Sequence, residues 1–120
     1  MDAKAYRKLD VWQRGMDLVE AVYKLTTNFP TDEQFDLTRQ LKRASVSVPA
    51  NIAEGYGRTH RGDYLRHLSI ARGSLMEIET HIIIAVRLKM VERDDAKPAW
   101  NLAQQVGRQL TQLIRSLQEP

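Results

Sequence analysis

The chain contains no cysteine, which excludes a disulfide framework and a thiolate metal site. Long apolar runs are also missing. The longest, Ile82 to Val86, is far short of the ~20 residues that span a bilayer. No apolar signal region follows Met1-Asp2-Ala3-Lys4, so a cytoplasmic protein without membrane contact is the expectation. No Ser-His-Asp order, phosphate-cradling glycine loop or dinucleotide fingerprint occurs. Glu-x-x-His pairs, which a di-metal carboxylate bundle needs, are absent too. Glu77 and His81 stand four apart, which is one pair and lacks the further ligands of a metal site. His60 and His67 are two helical turns apart, roughly 10 Å, too far to share an ion. No catalytic residue, metal, cofactor or small-molecule substrate is expected.

What is present is ordinary in amount and uneven in placement. The 120 residues are 42% hydrophobic and 28% charged, the composition of a globular chain of one domain, 1–120. A core of this size is thin, and burial shared with further copies would help it. The formal net charge is +3, yet seven cations fall between Arg39 and Arg72, opposed only by Glu54 and Asp63. Such a bias attracts polyanions such as RNA or DNA, or is a solvated surface with internal ion pairs.

Periodicity predicts four helices, at about 10–28, 31–56, 60–90 and 95–118, and no strand. Helix one opens at Asp10 as N-cap. Val11, Gly15, Leu18, Val22 and Leu25 form its stripe, widened by Trp12, Met16, Val19, Tyr23 and Thr26. Phe29-Pro30 stops it, and Thr31 to Gln34 reads as the capping box of helix two. In helix two, Leu37, Leu41, Ala44, Val48 and Ile52 form one apolar stripe, while Val46, Ala50 and Ala53 fall well round from it. A helix apolar on two sides is buried on two sides, and the simplest second partner is another copy of the chain. Pro49 lies inside this pattern, which predicts a continuous helix with a kink. Gly55-Tyr56-Gly57 reads as its stop.

Helix three carries Tyr64, Leu68, Ala71, Leu75, Ile78, Ile82 and Ala85 at an unbroken four-three spacing, with Gly73 and Ser74 admitting a close backbone. Arg93 to Asp95 reads as the next turn and cap, and Pro98 is tolerable in a first helical turn. Ala99, Ala103, Val106, Leu110, Leu113 and Leu117 mark helix four. Four amphipathic helices with short connections predict an all-α fold, an antiparallel up-down-up-down four-helix bundle.

Helix two also bears a polar stripe, Gln40, Arg43, Ser47, Asn51, Glu54 and Arg58, beside its apolar one. Polar groups at such an edge are hydrogen-bonded when buried. The stripe reads first as a structural network or oligomer contact, with an Arg58–Glu54 pair one turn apart, and second as a lined pocket. Arg39, Lys42, Arg43, Arg58, Arg61 and Arg66 are the candidate nucleic-acid-binding residues. Of the aromatics Trp12, Tyr56, Tyr64 and Trp100, Tyr56 is expected to be exposed and free to stack on a base.

Leu9-Asp10-Val11-Trp12-Gln13, Phe29-Pro30, the Gln40 to Arg58 motif and Ala71 to Glu79 resemble the four-helix-bundle family that includes proteins encoded by intervening sequences of bacterial 23S ribosomal RNA genes. The resemblance covers nearly the whole chain. It implies a bundle assembling as a ring-shaped homopentamer, and it carries no catalytic activity. The expected function is therefore a non-enzymatic oligomeric binding or scaffold protein whose ligand is RNA or a ribonucleoprotein. One alternative is a purely structural protein-interaction module. A remoter one is a HEPN-like ribonuclease, from the Arg61-x5-His67 spacing, against which Arg61 is a helix-start arginine and His67 an exposed histidine.

Overall fold

Burial on one side of each amphipathic segment organises the chain into four α-helices. The computed structural model describes residues 2, 4–33 and 36–119. The helices are α1 (Asp10–Thr26), α2 (Leu37–Tyr56), α3 (Arg61–Arg87) and α4 (Arg93–Gln118). Short 3-10 turns precede α1 at Ala5–Lys8 and α2 at Thr31–Glu33. Among the described residues there is no strand. Each helix packs against its chain neighbour, and α1 also packs against α4, so the four enclose one core. A helix as long as α3 extends about 40 Å, close to the longest molecular dimension of 47 Å. No helix of the described residues is long and apolar enough to cross a membrane.

The buried set follows the apolar stripes. Leu18 and Val22 of α1, Leu41, Val48 and Ile52 of α2, Leu68, Leu75 and Ile78 of α3, and Val106 and Leu110 of α4 are sealed from solvent. Each contributes about 1.5–3 kcal/mol by leaving water. The second stripe of α1 is shallower than its pattern implies, with Met16 and Tyr23 exposed and only Thr26 buried.

The helix ends depart from the sequence reading at several points. Leu9, not Asp10, occupies the N-cap of α1, and no side chain bonds there. Thr31 opens a separate 3-10 turn rather than α2, and the Gln34 half of the expected capping box lies outside the described residues. Glu92 is the N-cap of α4, which places Pro98 in the second turn. α3 ends in a Schellman motif. Lys89 takes a left-handed φ of 59°, its N–H donates to the Val86 carbonyl, and that of Met90 donates to Ala85. These bonds satisfy carbonyls that the helix end would otherwise orphan.

Two glycines set how closely α2 is approached. α2 is continuous through Pro49, and the buried proline packs over Gly15 of α1, where an added Cβ would sit 3.5 Å from Pro49 Cβ. At the other contact, a Cβ on Gly55 would lie 2.8 Å from His67 Cβ and 3.2 Å from the Tyr64 carbonyl. Gly55 is thus a point where α3 nearly touches the α2 backbone, rather than a helix stop; the stop comes at Gly57, whose φ of −77° needs no glycine. Gly73, expected to admit a neighbour, faces open space in the single chain.

Candidate functional site

The close approach at Gly55 brings the polar edge of α2 against α3 and builds a network from residues of both. Asn51 is its hub. Its amide nitrogen donates to the Ser47 carbonyl at 2.9 Å and to Ser47 Oγ at 3.0 Å, and its Oδ1 lies 3.0 Å from His67 Nδ1. With the amide hydrogens directed at Ser47, Oδ1 accepts, so His67 carries its hydrogen on Nδ1. Ser74 Oγ donates to Ser47 Oγ at 2.9 Å. At the outer end Glu54 Oε1 accepts from Arg58 at 2.8 Å and stands 3.9 Å from His67 Nε2. His67 is only 5% exposed. Its Nε2 has no hydrogen-bond partner among the described residues.

Four of the six stripe residues, Ser47, Asn51, Glu54 and Arg58, therefore join one cluster. Arg58 does so from beyond the end of α2, not from within the helix. Gln40 turns away to Asp36 at 3.3 Å. Arg43 is exposed on the outer face and makes no ion pair among the described residues. The sequence reading named His67 and Ser74 but did not place them in this network, and His67 is buried rather than exposed. Their signal was present: His67, Ala71, Ser74 and Ile78 recur at four-three-four along the buried side of α3.

This arrangement can hold two helices in register. It does not set up nucleophilic catalysis, since Asn51 stands between Ser47 and His67 in the chain of hydrogen bonds, and a hydroxyl nucleophile needs its base within direct reach. Arg61, the other half of the ribonuclease spacing, is exposed at the first residue of α3. Among the described residues no three His, Asp or Glu side chains converge on a possible metal position.

The candidate cations do not form one set. Lys42 is half-buried with Nζ 4.7 Å from the centre of the Tyr23 ring, a cation–π contact, and Arg58 is held by Glu54. Arg39, Arg43, Arg61 and Arg66 are exposed and without an ion pair among the described residues. Arg39, Arg43 and Arg66 share the outer side of α2 and α3 with apolar side chains. On α2, Arg39, Arg43, Val46 and Ala50 follow one another along the outer face, and on α3, Arg66, Ile70, Gly73, Glu77 and Ile84 do so. Val46, Ile70 and Ile84 are exposed although apolar.

Tyr56 is not the free aromatic that its turn position suggested. It is half-buried between Tyr6 and Tyr64, with ring centroids 6.5 and 6.0 Å away, and Trp12 extends the edge-to-face chain beyond Tyr6. Burial, with a lesser effect from the neighbouring Tyr56, raises the Tyr64 hydroxyl above the usual phenol range.

A family model described as 23S rRNA-intervening sequence protein matches residues 7–112. No curated protein matches. Among solved structures, a protein of unknown function from the S23 ribosomal protein family of Bacteroides thetaiotaomicron is similar, with a TM-score of 0.78 and 22% sequence identity, over 87% of this chain and 97% of that one. At that identity the likeness is one of fold.

Proposed function

We propose a role that starts from one fact: the chain belongs to the 23S rRNA-intervening sequence protein family. It acts as a cytoplasmic, non-enzymatic scaffold, a ring-shaped homo-oligomer that holds RNA or a ribonucleoprotein. The protomer is an antiparallel up-down-up-down bundle. Ser47 meets Ser74, while Asn51, later on α2, meets His67, earlier on α3, as neighbours of opposite direction do.

The observation that carries the reading is the outer face of α2 and α3. Exposed Val46 on α2 and Ile70 and Ile84 on α3 share that face with Arg39, Arg43 and Arg66, which have no ion pair among the described residues. Exposed apolar side chains gathered on one side of a bundle support an interaction site there. Unpaired arginines at its margin suit a phosphate backbone, which Arg recognises with paired donors. A second copy covers the apolar part, and the family resemblance supports a ring of five copies. Burial of His67 and its bond to Asn51 favour a structural network over a ribonuclease site. The use of this face for protein contacts alone is the second reading, favoured by the same three apolar residues.

The test is the solution mass by light scattering together with retention of labelled RNA on a filter, from one sample. A multimer that retains RNA, with retention falling steeply as salt rises, is the expected result. Replacing Arg39, Arg43, Arg61 and Arg66 by Gln is expected to lower retention with the mass unchanged. A multimer that retains no RNA or DNA at low salt supports the second reading instead.

A further inference from the structure

α4 contains no Asp or Glu from Ala96 to Gln118, while Lys97, Arg108 and Arg115 punctuate it. A survey of cation density along the sequence passes over this helix, because its basic character comes from the missing acids. Two concavities open along its junction with α3. One, of about 410 Å³, is lined by Arg72 and Met76 of α3 and by Gln104, Arg108, Gln112 and Arg115 of α4, among others. The second, of about 790 Å³, has Ile82, Val86 and Trp100 in its wall and Arg87, Arg93 and Lys97 around it. The first reaches Glu79 and Gln104, and the second begins at Ile82 and Asn101. They succeed one another within one helical turn and form one groove along the junction, bridged at its middle by the Gln104–Glu79 hydrogen bond. From Arg93 to Arg115 it runs about 33 Å at the helical rise.

We propose that this α3–α4 groove binds single-stranded nucleic acid. The proposal rests on the nucleic-acid reading above and assigns the strand to a face which that reading does not use. Six cations line the groove: Arg72, Arg87, Arg93, Lys97, Arg108 and Arg115. Among the described residues Glu79 is the one carboxylate in the lining, while Glu92, Asp94 and Asp95 stand at the start of α4 beside Arg93 and Lys97. Glu79 accepts from Gln104 at 2.9 Å. Asp94 is 2.9 Å from Lys97, whose hydrogen bond and charge hold the Asp94 carboxyl below the usual carboxylate range. The four arginines Arg72, Arg87, Arg108 and Arg115 are exposed and make no ion pair among the described residues.

The distribution favours a nucleic acid over a simple polyanion. Charge is concentrated toward the two ends, and the stretch between them offers Met76, half-buried Trp100 and the amide of Asn101. A base can stack on an indole, and its edge can meet an amide, whereas an inorganic polyphosphate gains nothing from either. Concavity selects the single strand. Duplex DNA receives protruding helices into its major groove, while unstacked bases can be inserted into a hollow between helices. The groove lies on the α4 side of α3, and the face assigned to subunit contact lies toward α2, so both can be occupied together.

The test is fluorescence anisotropy of a labelled oligouridylate of about 12 nucleotides with the full chain, across a salt series. The variant carries Arg72→Gln, Arg108→Gln and Arg115→Gln, which are exposed, so folding is expected to persist and is checked by circular dichroism. A control removes the same charge elsewhere with Lys4→Gln, Lys8→Gln and Lys24→Gln. The groove variant is expected to bind more than tenfold more weakly than the control, with the salt slope reduced by about 2, at ~0.7 per phosphate contact on a single strand. Quenching of Trp100 fluorescence in a Trp12→Phe background is the second expected signal. Binding by the groove variant equal to that of the control overturns the groove assignment and leaves the nucleic-acid reading standing. A duplex, or polyglutamate, bound as tightly as the oligouridylate also overturns it. A wild-type chain that binds no nucleic acid at low salt ends both readings.

Discussion

Asn51 can join two helices because its amide is a donor on one side and an acceptor on the other. Its donors satisfy Ser47 on α2, and its acceptor receives the His67 ring from α3. The polar edge of α2 could be read from its spacing, but its partner could not. A histidine in a helix-start segment rich in arginine looks solvated until the position of α3 is known. Truncating Asn51→Ala strands the buried Nδ1 hydrogen of His67 and removes the amide donor to the Ser47 carbonyl and Oγ, at an expected cost of about 1–3 kcal/mol. Urea denaturation measures it. In the Asn51→Ala background the step His67→Leu should cost clearly less than in the wild type, since removing both partners of a buried hydrogen bond is milder than removing one. Equal costs in the two backgrounds would mean that the two side chains are not coupled.

At the scale of the helices, the apolar stripes were legible because a 3.6-residue period reports burial directly. Leu18, Leu41, Leu75 and Leu110 lie where that period puts them. Close approaches were not legible, because a glycine carries no periodic signal and its role is decided by the partner helix. Gly55 and Gly15 show the difference, and alanine substitutions there should act in opposite directions. Helix propensity favours Ala over Gly by about 1 kcal/mol at both. At Gly15 the new methyl group meets Pro49 Cβ at 3.5 Å, an ordinary contact, so Gly15→Ala is expected to stabilise by up to that amount. At Gly55 the methyl would press on His67 Cβ and on the Tyr64 carbonyl. Neither is the free end of a flexible chain, so the helices must part, at about 1–3 kcal/mol. Midpoints of thermal or urea unfolding decide the signs, and a stabilising Gly55→Ala would show that α2 and α3 are not held at this distance.

For the molecule as a whole, the charge that the sequence displayed most openly was the run from Arg39 to Arg72, and the structure divides it. Lys42 and Arg58 are engaged within the chain, Arg39, Arg43 and Arg66 border exposed apolar side chains, and Arg72 turns toward α4. Sign and number could be counted from residues, but sharing a face requires the helix orientations. The second apolar side of α2 follows the same logic. Val46 is 44% exposed in the single chain, so no helix of the bundle covers that side, and any cover comes from outside. If that cover is another copy, folding and assembly are linked, and the unfolding midpoint should rise with protein concentration. Val46→Asp with Ile70→Asp places two carboxylates on the face where an apolar partner would sit, and desolvating them unpaired is costly. Neither side chain belongs to the buried core, so an isolated protomer should tolerate the change. The double variant is accordingly expected to lose mass by light scattering and to unfold at a midpoint independent of concentration. A multimer that survives the change, with its concentration dependence intact, would place the subunit contact on another face of the bundle.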